Sequence, residues 1–229
     1  MLELPEAAVL ARQLSDTVAG RTVARVVTLA SPHRFAFFTG DPAGYDDALR
    51  GAVVGRADAA GGMVEVRAGA ASLLLNDGVA LRFHESEATV PRKHQLLVAF
   101  TDGSFLSATV QMYGGLMCYP TGTWDNHYYV VARERPSPLG DGFDLAWFES
   151  ILAPPEVAKL SLKAALATEQ RIPGLGNGVL QDVLWEARLH PRRMGRLRLD
   201  EPCPACGGAK TKEAYLGGSV YVCPACQPR

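Results

Sequence analysis

Apolar residues recur at Leu10, Leu14 and Val18, a spacing that predicts a helix over residues 5–19 with one buried face. Pro5 suits its first turn and Gly20 its C-terminal cap. Glu3 then stands just before a helix N-terminus. From Thr22 to Tyr119 the pattern changes to short, often β-branched runs: Val23–Leu29, Met63–Val66, Ser72–Leu75, Val79–Phe83, Gln95–Phe100 and Ser104–Val110. Asn76-Asp77-Gly78 and Thr101-Asp102-Gly103 carry turn chemistry between some of them. Tyr45–Leu49 reads as a short helix inside this region. Such a succession of short strands predicts a β-sandwich or barrel.

Pro120–Leu139 holds three prolines and little periodicity, and reads as a linker. Helical spacing returns over residues 143–152 and 155–169. Arg171-Ile-Pro-Gly-Leu-Gly-Asn-Gly178 breaks it, because a proline and three glycines exclude a regular helix. A further helix is expected from about Asn177, with Val179, Leu180, Val183, Leu184 and Ala187 apolar, ending before Pro191. The boundaries that follow are 1–120 for a β-sandwich domain, 121–142 for a linker, 143–198 for a helical domain and 199–229 for a tail.

That tail carries four of the five cysteines in the spacing C-x2-C-x16-C-x2-C. Each C-x2-C turn aims two thiolates at one point, so Cys203, Cys206, Cys223 and Cys226 predict one closed, structural Zn2+ site. Two disulfides are the alternative, disfavoured in a chain without an export signal. Cys118 lies in an apolar stretch and reads as a buried small hydrophobe.

The 229 residues are 48% hydrophobic and 21% charged, a globular composition, with no run near the ~20 apolar residues of a membrane span. The start of the chain lacks a basic stretch followed by an apolar one, so a cytoplasmic protein is expected, without a membrane partner and monomeric. Net charge is −1, but from Glu186 onward eight Lys or Arg face four Asp or Glu. A basic end on an acidic body is a footprint of polyanion binding, and also of an unevenly charged solvated surface. Helix, glycine-rich hairpin, helix is itself a way of gripping a DNA backbone, because free N–H groups at a helix start bind phosphate.

The hairpin from Pro173 to Pro191 resembles the helix–two-turn–helix of the formamidopyrimidine-DNA glycosylase / endonuclease VIII family. Glu3-Leu-Pro-Glu6 is similar to that family's N-terminal signature, Pro91-Arg-Lys-His94 to a motif between its β-strands, and Gly217-Gly218 through Cys223-Pro-Ala-Cys-Gln227 to its zinc finger. The resemblance implies an α+β fold: an N-terminal β-sandwich with flanking helices, then a helix–two-turn–helix domain and a zinc finger. It implies a DNA repair glycosylase on damaged double-stranded DNA, nucleoid-associated, with the target nucleotide flipped out of the duplex.

Where the family has an N-terminal proline nucleophile this chain has Leu2, so the terminal amine expected is that of Met1, about 3.8 Å away. Glu3 matches the family's catalytic glutamate, with Glu6 in the same signature. A carboxylate there can activate water or stabilise a sugar cation; it can equally be a helix-terminus group without chemistry. The family's β-domain lysine should fall near Gly61-Gly62 and is absent. An apolar wedge should fall near Asn76-Asp77, and neither residue is apolar. Met112 and Tyr113 align with a second wedge region and can insert between bases or pack a core. The finger-tip arginine has no counterpart in Tyr215-Leu-Gly-Gly-Ser-Val220, and only residues 194–202 separate Arg193 from the first zinc cysteine. Lys93, His94, Lys163, Asn177, Arg192, Arg193 and Lys210 carry the implied DNA contacts, with Arg196, Arg198 and Lys212 adding charge. Three functions follow: a glycosylase acting through Glu3 with weak or no strand cleavage, an inactive binder of damaged or distorted DNA, or a lyase using the Met1 amine.

Overall fold

The computed structural model describes residues 2–157, 160–187, 202–203, 205–215 and 218–226. The chain divides into two compact units, Met1–Val130 and Val131–Arg229.

The first unit opens with helix α1, Leu4–Val18. Its buried face is Leu4, Ala7, Ala11, Leu14 and Val18, a three-to-four-residue repeat laid against strands β3 (Val54–Ala60) and β4 (Met63–Ala68). Ser15 fixes the helix to β3: its hydroxyl donates to Ala11 O and accepts from Ala57 N, both at 2.9 Å. The remaining strands are β1 (Val23–Thr28), β2 (Ala36–Phe38), β5 (Ala71–His84), β6 (Leu96–Phe100) and β7 (Phe105–Pro120), with α2 (Tyr45–Leu49) after β2.

All seven strands form one hydrogen-bonded sheet in the order β1-β6-β7-β5-β4-β3, with β2 pairing parallel to β7. The long strands β5 and β7 join two halves. Ala71–Asn76 of β5 pairs with β4 and with the end of β7; Val79–His84 pairs with the start of β7, which also carries β6. Two halves joined through bulged strands are how one sheet supplies the layers of a sandwich. Leu75, Leu116 and Val64, all fully buried, lie at the centre of the apolar core. Glu65, also buried, accepts from Tyr119 Oη at 3.1 Å and Tyr129 Oη at 2.8 Å.

The expected turn at Asn76-Asp77-Gly78 is an irregular point inside a single strand, where Gly78 faces a bulge of three residues, 111–113, on β7. Asp77 pairs with Gly114 and Val79 with Val110, and Asp77 takes φ +54. Asn and Asp tolerate that left-handed conformation, so a turn and a strand irregularity read alike in sequence. Thr101-Asp102-Gly103 is the turn expected of it, with Gly103 at φ +84. β2 and β3 had no signal, since neither is rich in β-branched residues.

Helix α3, His127–Glu134, occupies part of the stretch read as linker. The second unit continues with α4 (Leu145–Leu152), capped by Asp144, which accepts from Trp147 N at 2.7 Å. Then come α5 (Leu162–Ala167), shorter than the helix expected over 155–169, and α6 (Asn177–Glu186). Leu166, Ile172, Leu180 and Leu184 form their core. An antiparallel hairpin, β8 (Thr211–Tyr215) and β9 (Gly218–Val222), follows between the cysteine pairs. No helix among the described residues is long and apolar enough to cross a membrane.

Candidate nucleic-acid interface and metal centre

Glu3 is the N-cap of α1 and is only 8% exposed. Its backbone N–H donates to Glu6 Oε2 at 3.3 Å, one half of a reciprocal capping box that fixes where Glu3 stands. Leu2 N–H donates to Asp77 O at 2.7 Å, tying the segment before the helix to the middle of β5. Gly61-Gly62 forms the β3–β4 turn, and a Cβ on Gly62 would stand 2.8 Å from the Leu2 carbonyl oxygen. The backbone of Leu2 thus lies against the position where the resemblance expects a lysine. Burial raises the pKa of the Asp77 carboxyl. Met1 lies outside the described residues.

Met112 and Tyr113 sit in the bulged stretch of β7 opposite Gly78, at 73% and 42% exposure. A Cβ on Gly78 would be 2.6 Å from the Tyr113 carbonyl, so the glycine lets the two strands close at this point. Asn76 is bound rather than projecting: its Oδ1 accepts from Gly115 N at 2.7 Å. Lys93 is exposed, whereas His94 is buried. His94 Nδ1–H donates to Pro91 O at 2.8 Å, and its Nε2 is buried with no partner among the described residues.

In the second unit, Gly176 in extended conformation precedes α6, so Asn177 opens the helix. The Asn177 Oδ1 is buried without a partner among the described residues, and one turn on Gln181 is fully buried. Lys163 lies in the first turn of α5, where burial lowers its pKa from the ordinary lysine value. Arg192, Arg193, Arg196 and Arg198 lie outside the described residues.

The four cysteine sulfurs of Cys203, Cys206, Cys223 and Cys226 lie within 4.8 Å of one another, with Cys203–Cys226 at 3.9 Å and Cys206–Cys223 at 3.5 Å. Tetrahedral thiolates at ordinary zinc–sulfur lengths stand about 3.8 Å apart. The donor set therefore fits one tetrahedral metal ion, and no disulfide joins any pair. Gly207 at φ +69 turns the first knuckle, and Gly207 N–H donates to Cys203 O at 2.7 Å. Burial raises the Cys203 thiol, but the backbone N–H groups of Ala205 and Cys206 and the thiols of Cys223 and Cys206 together pull it down to about 7, while hydrogen bonding within the cluster pushes its partner Cys226 up. Lys210 is buried, whereas Lys212 is exposed.

The formamidopyrimidine-DNA glycosylase of Acidiphilium cryptum (strain JF-5) is 31% identical over 225 residues, covering 96% of this chain and 78% of that protein. This chain belongs to the formamidopyrimidine-DNA glycosylase family. The Nocardia farcinica (strain IFM 10152) protein of the same name is 26% identical across 100% of this chain and 99% of its own length. No family model matches the sequence. The fold is shared with MutM in complex with DNA containing carbocyclic 8-oxo-G, at TM-score 0.77, and with Lactococcus lactis Fpg in complex with abasic-site DNA, at 0.80. Each has 19% identity and covers 99% of this chain and 100% of the other. Within this family fold, sequence reasoning missed the contact of Leu2 with Asp77, the accommodation of Leu2 by Gly62 and the tether on Asn76. All three join residues far apart in the chain, and only the Gly61-Gly62 pair left any trace in the sequence.

Proposed function

We propose that this chain is a DNA glycosylase that binds damaged double-stranded DNA and hydrolyses the N-glycosidic bond of a modified base, with Glu3 as its acid–base group. The observation that carries the reading is the placement of Glu3: buried, at a helix start, and held by the Glu6 capping box. A carboxylate so fixed is suited to take a proton from water as the C1′–N bond breaks. Water oxygen bonds to C1′ and the base leaves with a proton. Glu6 acts as a positioning residue.

The DNA-binding half of the proposal rests on the start of α6. Asn177 and Lys163 are suited to hold a backbone phosphate, with Arg192 and Arg193 supplying charge after the helix, and Lys93 is a separate candidate contact on the first unit. His94, buried, serves to shape the loop that presents Lys93, and Lys210 to support the finger. Met112 and Tyr113 are the candidates to fill the gap left by a flipped nucleotide. Cys203, Cys206, Cys223 and Cys226 would hold a structural Zn2+, which organises the finger and takes no part in the chemistry.

Base release from duplexes carrying oxidised purines or pyrimidines tests this. Glu3→Gln should slow release by roughly 10²- to 10⁴-fold, the usual worth of a positioned acid–base group. If the wild-type chain and Glu3→Gln are equally inert on a broad lesion panel, the glycosylase reading is wrong. A second reading, a binder of damaged DNA without catalysis, is favoured by Leu2 packing on Gly62 where a lysine is expected. Tight binding of lesion duplexes without turnover would select it. Weak or no strand cleavage is expected in either case, and borohydride trapping on abasic DNA checks that by reporting any Schiff base formed with a protein amine.

A further inference from the structure

Strand β5 carries two polar residues, Asn76 and Asp77, where it passes the start of the chain, and only one of their side chains is tied down. The Asn76 side chain accepts from Gly115 N–H. The Asp77 backbone is held too, since its carbonyl accepts from Leu2 N–H at 2.7 Å. The Asp77 carboxyl is partly buried and has no hydrogen-bond or ion-pair partner among the described residues. The strand does not require an acid here. A φ of +54 suits asparagine or glycine at least as well, and either would avoid taking a carboxyl out of water. Burial raises the pKa of that carboxyl, so its ionised form costs the fold stability. A left-handed backbone and an unpartnered, partly buried acid together are features that collect at functional sites.

Its position supplies a use. The Leu2 amide that bonds Asp77 belongs to the residue before Glu3, and Gly62 lies against both: a Cβ there would stand 2.8 Å from Leu2 O and 3.7 Å from Glu3 Cα. On the other side, Gly78 brings β5 against the bulge of β7, where a Cβ would stand 2.6 Å from Tyr113 O. Asp77 thus links the segment that carries Glu3 to the stretch that carries Met112 and Tyr113, the candidates to replace a flipped nucleotide. Hydrolysis of a glycosidic bond moves two protons, one from water and one to the departing base, and a single carboxyl cannot make both transfers at once. Two carboxyls in different surroundings divide such roles. The other ionisable groups on the elements around Asp77 are Glu3 and Glu6 at the start of α1, the chain's terminal amine, whose charge opposes the effect of burial, and Tyr113 on β7. On β4 the neighbour is Met63, opposite Asn76, which does not ionise.

We infer that Asp77 is a second catalytic residue of this site, the acid that protonates the departing base while Glu3 takes a proton from water. The C1′–N bond breaks with its electron pair going to the base, and the Asp77 proton goes to the base with it. The hydroxyl of water bonds to C1′ and the remaining water proton goes to Glu3. Solvent then returns a proton to Asp77 and removes the one on Glu3. This rests on the glycosylase reading above and extends it.

The test is single-turnover base release by the full-length, zinc-loaded chain across the acid and neutral pH range. Its substrate is the duplex with an oxidised base that the wild type processes fastest in the lesion panel. The wild-type rate should fall as pH rises through the Asp77 value, because the acid form is then lost. Asp77→Asn keeps the shape and tolerates the left-handed backbone, but carries no proton to give. It should slow release by roughly 10²- to 10⁴-fold at the wild-type optimum and lose that fall with pH. It should bind the lesion duplex no more weakly and unfold at no lower temperature than the wild type. If the wild type releases no base from any duplex of the panel, the glycosylase reading fails and the role of Asp77 with it. If Glu3→Gln is slow but Asp77→Asn releases base as fast as the wild type, the role of Asp77 alone is overturned. The same holds if Asp77→Asn is slow but keeps the wild-type pH profile, which would make Asp77 a structural support of the site.

Discussion

Gly62 and Leu2 show how one missing side chain can be read in two ways. The sequence offers an absent lysine; the structure has the chain's own backbone standing there, with 2.8 Å between the Leu2 oxygen and a Cβ placed on Gly62. Gly62→Ala should therefore push Leu2 off Asp77 and cost about 1–3 kcal/mol, the usual range for overpacking. Differential scanning calorimetry on the full chain checks this. Asp77 is a second residue-scale test. Its folded pKa is raised by burial, so its ionised form is disfavoured in the fold, and stability falls as pH rises through the raised value. Asp77→Asn, tolerated at φ +54, should raise the melting temperature at neutral pH, with the gain shrinking as pH falls into the acid range. His84 has the opposite consequence. It is buried, with Nδ1 on Thr89 Oγ1 at 3.0 Å and Nε2 on Ser107 Oγ at 2.8 Å, and burial lowers its pKa. Its stabilising contribution is fully present above about 6.5 and is lost as pH falls through the lower folded value. His84→Gln should flatten the unfolding free energy measured across that window.

At the scale of elements, helix α1 was legible because its buried positions repeat at helical spacing and Pro5 and Gly20 mark its ends. Removing one of those positions, Leu14→Ala, should cost about 2–5 kcal/mol in chemical denaturation, since the side chain is buried against the sheet. The capping box adds a smaller increment: Glu6→Ala should cost about 0.5–2 kcal/mol and let Glu3 wander. The strands were harder. β3 has the sequence Val-Gly-Arg-Ala-Asp-Ala-Ala and acquires its strand character from pairing with β4 and cover by α1, not from its own propensities. The break expected at Asn76-Asp77-Gly78 is bridged within one strand because β7 runs past it, bulging at 111–113, and supplies partners before and after.

At the scale of the molecule, each unit has its own core, the first built on the sheet and the second on Leu166, Ile172, Leu180 and Leu184. Chelation, or Cys223→Ser, should unfold the cysteine-rich hairpin and weaken duplex binding while leaving the exchange protection of the seven-stranded sheet unchanged; hydrogen-exchange mass spectrometry resolves the two. If duplex affinity survives zinc loss, the finger serves only the fold of the tail. The sequence by itself determined the four-cysteine cluster, the amphipathic helices, the glycine-rich start of α6 and the family, because each is written in local spacing that needs no partner from elsewhere. Only the tertiary structure decided that Gly62 makes room for Leu2, that Asn76 is tethered to β7, that His94 and Lys210 are buried, and that β2 pairs parallel with β7. Those facts depend on strand register and burial between residues distant in the chain, and a one-residue shift in register would reverse the face on which every such side chain lies.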